Sequence, residues 1–408
     1  MISSAELISV LHALENREME LLNWGDTGFH FTADELMDVI ESTLPLLDPD
    51  EVEDALRDNA IIIPVLDSRN LEIGVRSRMA ETVHLLRNSR QWFIGQRLEQ
   101  SRSLVSDYRF IRRARRFPAR NLSFPNLLSQ WDDNVCDHPS TEDALRTLTG
   151  DFNLSGFQAR STSHIIGAWK RHSSWQRTSS ATIISAGTGS GKTMAFYLPV
   201  LAMLVTDLIR DPKRHVRVLA VYPRKELLKD QVNEALEQVS KLNSLLENSG
   251  ARKISIGAFF GDTKNSAKYA LKKDEEHLAF PYLKCSNQPC RGEMRWVKED
   301  VKQKNERLVC SSCGDVVPGD QFLLTREAMS KDPPDILFTT TEMLNQRMTD
   351  ANFGHLFGVG VNQGPSMVLL DEVHTYGGSQ GAQTAYLLMR WMQLSGIHPH
   401  FVGLSATL

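Results

Sequence analysis

Three things are scarce in this chain of 408 residues, and each scarcity excludes something. No run of about 18 apolar residues occurs, so no segment is expected to span a membrane. The amino terminus, MISSAELISVLHALENREMELLNW, mixes acids into its apolar positions and lacks the basic start, apolar stretch and small-residue cleavage site of a signal peptide. It reads as a structural helix, and a cytoplasmic protein is expected. Positive charge is not in excess, since the net charge is −4. Any contact with nucleic acid must therefore come from local basic patches. Cysteine is few and odd in number at five, which argues against a disulfide framework. Four of the five fall in one short segment, a pattern that suits a metal in a reducing compartment. Internal repeats and low-complexity tracts are also missing. What is present is ordinary apolar content over a length that allows two or three domains.

The first 95 residues carry helix-start signals. Thr32 followed by Glu35, just ahead of Leu36, Val39 and Ile40, reads as a capping box, and Asp48, Pro49 and Glu51 open another helix. IIIPVLDSRNLEIGV then reads as two short strands around a DSRN turn, followed by an amphipathic stretch from Arg76 to Leu86. Helices followed by a hairpin predict a mostly helical, winged-helix-like domain, whose wing serves DNA or protein contacts equally well. From 96 to 140 a connection is expected. Within it RFIRRARRFPAR sets six arginines around Phe110 and Phe117, a mixture suited either to a phosphate backbone or to a solvated linker helix. SQWDDNVCDHPSTEDAL is polar and acidic, and Cys136 in it reads as a free thiol.

Beyond residue 140 the rhythm changes. ATIISA, VRVLAVYP, ISIGAFF, DILFTT, MVLLDEV and HFVGLSAT alternate with helical stretches, and most are apolar on successive residues. Strands buried on both faces read that way, so the expectation for 141–408 is an α/β domain built on a mostly parallel sheet.

The first of these strands runs into AGTGSGKT and then into a helical MAFYLPVLAMLV. Gly187, Thr188, Gly189, Ser190 and Gly191 form a loop whose glycines let the backbone N–H groups turn inward toward phosphate oxygens, aided by the positive end of the following helix. Lys192 is placed to reach the β and γ phosphates and Thr193 to hold Mg²⁺ by its hydroxyl. A plain glycine turn does not call for Lys and Thr at its end, and a Rossmann loop lacks them. In MVLLDEVH an apolar strand delivers Asp371 and Glu372 at its carboxyl end, where ligands of parallel sheets bind. Asp371 suits a Mg²⁺ contact through water, and Glu372 suits orienting and deprotonating an attacking water. Alone, such a pair reads equally as two solvated acids.

With a GKT loop upstream and SAT downstream, the joint pattern resembles the DExH-box branch of superfamily 2 helicases, over roughly residues 152–408. The resemblance implies a RecA-like P-loop lobe, ATP as substrate with Mg²⁺, and a nucleic-acid partner. Phe157 and Gln158 resemble the upstream glutamine motif, in which the amide would read the adenine edge. Pro223 and Arg224, with Gln231, resemble a motif lining the nucleic-acid track; GDT at 261–263 and TTTEML, including Thr340, resemble the next two. His374 is implied to link the ATP site to Ser405 and Thr407 of the SAT motif, although a histidine there reads equally as a structural residue. DEVHTYGGSQGAQ is similar to a subgroup that unwinds DNA and often carries cysteine clusters, which favours DNA over RNA.

Between GDT and TTTEML, Cys285 and Cys290, then Cys310 and Cys313, make two pairs whose spacing suits a structural zinc ribbon spanning 280–318. Gly314 suits the knuckle turn, and MRWVKED and ERLVC read as ribbon strands; the alternative is four unpaired thiols in an insertion. Motors of the resembled family complete their ATP site with an arginine from a second RecA-like lobe, in cis or in trans. The expectation is the N-terminal region and ATP-binding lobe of a longer DNA helicase or translocase, hydrolysing ATP weakly by itself, with genome or phage defence as the analogous setting. The rival expectation is a nucleotide-gated adaptor that binds DNA or a partner protein through its N-terminal and zinc parts.

Overall fold

The computed structural model describes residues 2–95, 97–106, 118–129, 131, 135–173, 178–187, 189–223, 225–271, 275–285, 287, 290 and 292–406. The chain divides into two units, Met1–Arg115 and Arg116–Leu408.

In the first unit, helix α1 (Ser4–Asn23) opens on a Ser3–Glu6 capping box. Helix α2 (Ala33–Thr43) opens on the expected Thr32–Glu35 box, and α3 (Pro49–Asp58) on Asp48 with Pro49 in its first turn. Strands β1 (Ile62–Leu66) and β2 (Glu72–Ser77) pair antiparallel. Their turn is held by the Asp67 carboxylate, which accepts from the N–H groups of Arg69 and Leu71. Phe31 bridges Val75, and α4 (Arg78–Asn88) follows the hairpin. Helix, bridge, two helices and a hairpin make the winged-helix-like arrangement anticipated from the sequence. Val10, Leu14, Ile40 and Leu56 are buried in its core, each stabilising the fold by about 1.5–3 kcal/mol. Glu18, also buried, accepts from the Ser77 N–H and hydroxyl and so ties α1 to the start of α4.

The second unit begins with strand β3 (Arg120–Leu122), α5 (Phe124–Leu128) and α6 (Pro139–Thr149). The short strand β4 (Leu154–Ser155) pairs with β3 and leads into α7 (Gly156–Ser173). Then come β5 (Ser180–Ser185), α8 (Lys192–Arg210), β6 (Val218–Tyr222), α9 (Lys225–Asn248) and β7 (Ile256–Phe259). An insertion follows, with β8 (His277–Lys284), β9 (Glu293–Val297), α10 (Lys298–Gln303), β10 (Leu308–Cys310) and β11 (Val316–Val317). The ribbon strand expected over MRWVKED ends at Val297, and its polar KED turns into α10 instead. The chain returns through β12 (Phe322–Leu323), α11 (Arg326–Lys331), β13 (Ile336–Thr340), α12 (Thr341–Arg347), β14 (Met367–Leu370), α13 (Gly378–Ser395) and β15 (His400–Ser405).

Among the described residues the main sheet runs β12-β7-β13-β6-β14-β15-β5, and every pair in it is parallel. All six strands anticipated from apolar runs are present; β12 is an added edge too short to show a pattern. Helix α8 is long and apolar enough to cross a membrane by composition, yet most of it is buried in this unit, where it packs against α7 and α6.

A buried charge cluster sets the register at the amino ends of three strands. Asp335, fully buried, accepts from Arg217 Nη1 at 2.9 Å, from Arg252 Nη1 at 2.7 Å and from the Ser255 N–H at 2.9 Å. Arg217, Ser255 and Asp335 each stand one residue before β6, β7 and β13, whose first residues are aligned as Val218, Ile256 and Ile336. Ion pairs of this kind stabilise little beyond their desolvation cost, but breaking one strands a buried charge, which specifies register. The opposite, carboxyl ends of the strands are left for loops that carry chemistry.

Candidate nucleotide and metal sites

Strands β5, β15 and β14 are neighbours in the sheet, and their carboxyl ends deliver the Gly-rich loop, Ser405 and the Asp371–Glu372 pair side by side. The loop turns through Gly189 (φ +75°) and Gly191 (φ +89°), left-handed values that favour glycine. Gly191 caps α8, so Lys192 and Thr193 are the first residues of that helix, at its positive end. Ser190 is buried, and its hydroxyl has no hydrogen-bond partner among the described residues. A loop of turned glycines, an orphan hydroxyl and a helix N-terminus with Lys192 is a donor set that fits a phosphate chain. Thr188 lies outside the described residues.

Gln158 is fully buried beneath this loop. Its Oε1 accepts from the Ser155 N–H and hydroxyl, both at 2.9 Å, while Nε2 donates to the Gly191 carbonyl at 3.1 Å. The amide thus holds the loop's own backbone, and reading a base edge would require one of these bonds to give way. Arg120 comes close as well, because β3 pairs with β4 just ahead of α7. Its Nη2 lies 3.5 Å from where a Cβ on Gly191 would stand, and its guanidinium sits 4.8 Å from the centre of the Phe152 ring.

Across the crevice, Asp371 is buried, and burial pushes its carboxyl above the ordinary range; the Glu372 N–H at 2.8 Å and the charges of Lys192 and His374 pull the other way. A divalent cation beside Asp371 would favour its ionised form, so a buried carboxylate that feels the Lys192 charge fits a Mg²⁺ contact. Glu372 holds a left-handed backbone at φ +49°, a conformation that costs a non-glycine residue about 1–3 kcal/mol and gathers at functional sites. Its Oε2 lies 3.1 Å from His374 Nδ1, which in turn lies 3.4 Å from Ser405 Oγ. The chain from the acidic pair to the first residue of the SAT motif is therefore physically continuous. Tyr376, which lies in the DEVHTYGG string but has no role assigned from sequence, has a buried hydroxyl with no partner among the described residues. Burial and the Asp371 charge push its phenol up.

The track motifs are placed unevenly. Thr340 ends β13 and its hydroxyl accepts from the Met343 N–H at 3.2 Å, capping α12. Asp262 and Thr263 follow β7, where Thr263 Oγ1 donates to the Ala258 carbonyl at 2.7 Å. Arg224, Thr407 and the stretch from Arg109 to Phe117 lie outside the described residues.

The four clustered cysteines converge. Cys285 and Cys313 sulfurs are 3.4 Å apart, those of Cys290 and Cys310 are 3.7 Å apart, and all four lie within 4.8 Å of one another. Tetrahedral zinc with bonds of about 2.3 Å sets its sulfurs about 3.8 Å apart. Backbone N–H groups of Cys313 and Ser312 bring Cys310 down to about 6, toward the thiolate a metal needs. Burial pushes the Cys285 thiol the other way, a cost that a coordinated cation would offset. Gly314 (φ +77°) makes the knuckle turn, and a Cβ on Gly292 would meet Cys310 Sγ at 2.8 Å. The donor set fits zinc, carried on the antiparallel sheet β11-β10-β9-β8.

Residues 170–276 match the family model described as DEAD/DEAH box helicase. Among curated proteins, the chain is 25% identical to the Druantia protein DruE of Escherichia coli, over 51% of this chain and 14% of that protein. It is 27% identical to the Lhr helicase/probable uracil glycosylase of Mycolicibacterium smegmatis, over 56% of this chain and 11% of that one. The chain thus spans a small part of the relatives it matches. Similar solved structures include Mycobacterium smegmatis helicase Lhr bound to ssDNA and AMP-PNP, at 24% identity and TM-score 0.36, covering 62% of this chain and 25% of that one. Another is the helicase MrfA bound to DNA and AMPPNP, at 19% identity and TM-score 0.37, covering 72% of this chain and 28% of that one.

Proposed function

We propose that this chain, which carries a DEAD/DEAH box helicase domain of RecA-like fold, is the ATP-binding part of a DNA helicase or translocase. The observation that carries the proposal is the adjacency of three strand ends. β5, β15 and β14 bring Lys192, Ser405 and the Asp371–Glu372 pair into one crevice.

In this mechanism the backbone N–H groups from Gly187 to Gly191, with Thr188 in the same loop, bind the triphosphate of ATP, and Lys192 neutralises its outer phosphates. Gln158 serves the nucleotide through the loop it braces. Thr193 and Asp371 hold Mg²⁺, which when bound supplies positive charge to the phosphates. Glu372 orients water and takes its proton as general base. His374, between Glu372 and Ser405, transmits the state of the acidic pair to the SAT segment with Thr407 and from there to the track, where Arg224, Thr263 and Thr340 meet the strand. The arginine that completes such sites in the transition state is worth about 10³–10⁵ in rate. We assign it to a second RecA-like lobe, in cis or in trans, so the chain alone turns over slowly. Zinc at Cys285, Cys290, Cys310 and Cys313 orders the insertion. A cytoplasmic, reducing compartment suits those thiols, and genome defence is the setting we propose for a helicase lobe joined to a winged-helix-like unit and a cysteine module.

The test is Lys192→Ala. Binding of a fluorescent ATP analogue in Mg²⁺ is expected to fall at least tenfold, about 1.4 kcal/mol, while the melting temperature holds. Unchanged nucleotide affinity would remove the basis of the proposal.

A further inference from the structure

Between the GDT loop and the cysteine-bearing sheet lies a cavity of about 220 Å³, lined by Phe260, Phe280, Tyr282, Trp296, Asp262 and Lys264 among others. We infer that this cavity receives one unstacked base of single-stranded DNA, an inference that rests on the track reading of the loops beside it.

The sheet order supplies the path. β6, β13 and β7 are consecutive neighbours, so the loops at their carboxyl ends stand in a row from the middle of the sheet toward its edge. The GDT loop is the outermost of the three, and the cavity opens against it. A strand laid along that row reaches the insertion next. Its wall is the stretch of β8 from Leu278 to Tyr282, whose pairing with β9 turns irregular after Phe280, and Trp296 on β9 stands directly opposite Leu278.

Several features select the occupant. The volume is below the roughly 300–1,000 Å³ of pockets for drug-sized ligands, so it suits one planar ring and not a whole nucleotide. The rings are held edge to face, Phe280 against Tyr282 at 5.6 Å and against Phe322 at 5.5 Å, and Phe260 is tilted against Tyr282 at 4.4 Å. Tyr282 is fixed further by donating its hydroxyl to Asp262 at 2.9 Å. A rigid aromatic site of this kind binds any base by stacking. Cations stand at its margin: Lys264 in the lining, and Lys229, in the first turns of α9, with Nζ 5.4 Å from the centre of the Tyr282 ring. Both suit the phosphates flanking an inserted base.

The experiment compares the whole chain with Phe280→Leu, which keeps the apolar fill but removes the stacking face, with melting temperature as the fold check. Fluorescence anisotropy is read on an oligothymidylate and on an abasic strand of equal length. The native chain is expected to prefer the base-bearing strand by on the order of 5- to 100-fold, and the variant to lose most of that preference. An oligonucleotide carrying 5-iodouracil is expected to photocrosslink within the peptide 278–282 or at Trp296. Binding with the same preference in both proteins, or crosslinks confined elsewhere, overturns the pocket while leaving the track. Absence of binding to either strand overturns the track reading and the pocket with it.

Discussion

Replacing Gln158 by Leu separates two roles for this side chain. Leucine approximates the buried volume, so little cavity is added, but three hydrogen bonds go. The Ser155 N–H and hydroxyl lose their shared acceptor Oε1, and the Gly191 carbonyl loses the Nε2 donor. Ser155 is fully buried, so its stranded N–H costs about 1–3 kcal/mol, and the hydroxyl and the loop bond add roughly 0.5–1.5 kcal/mol each. The expected loss of stability is therefore about 2–6 kcal/mol, read as a lower urea midpoint. The loop bond alone, at roughly 0.5–1.5 kcal/mol, should weaken nucleotide binding about 2- to 12-fold. Because that bond holds backbone that faces phosphates, fluorescent ATP and GTP analogues should weaken by the same factor. A selective loss of ATP with GTP affinity and stability unchanged would refute the brace and return Gln158 to direct recognition of adenine.

Two further outcomes follow from buried groups elsewhere. Metal analysis of reduced, chelator-free protein should return one zinc per chain, and chelation should melt the insertion, with an apparent binding energy on the order of 10 kcal/mol at stake, while ATP binding stays measurable; Cys310→Ser should reproduce the loss. His215 is brought down to about 4 by burial first and then by the Arg217 charge, so the folded state prefers neutral imidazole. Its contribution is complete above its unfolded value near 6.5 and is lost as pH falls from there toward 4. His215→Gln should flatten that part of the pH dependence in urea titrations; an unchanged slope would show that His215 is not its source.

The legible features were those whose physics is local. Capping boxes at Thr32 and Glu35 act across three residues, doubly buried strands announce themselves as unbroken apolar runs, and a glycine loop ending in Lys192 and Thr193 needs only its own backbone to turn. Paired cysteines likewise advertise a metal by spacing, although it took the fold of β8 to β11 to bring the sulfurs within 4.8 Å.

What the sequence determined by itself, then, is the set of strands, the loop chemistry and the ligand types, because each depends on neighbours along the chain. Tertiary structure decided the rest. Only the order of the sheet makes Lys192, Ser405 and Asp371 neighbours, and only the pairing of β3 with β4 carries Arg120 to Gly191. Gln158 became a brace because folding buried its amide between two backbone groups that had to be satisfied, and a buried polar group takes the partners that packing brings to it. The aromatic cavity belongs to the same class: Phe260 and Trp296 are distant in sequence and meet only where the insertion folds back onto the loop after β7.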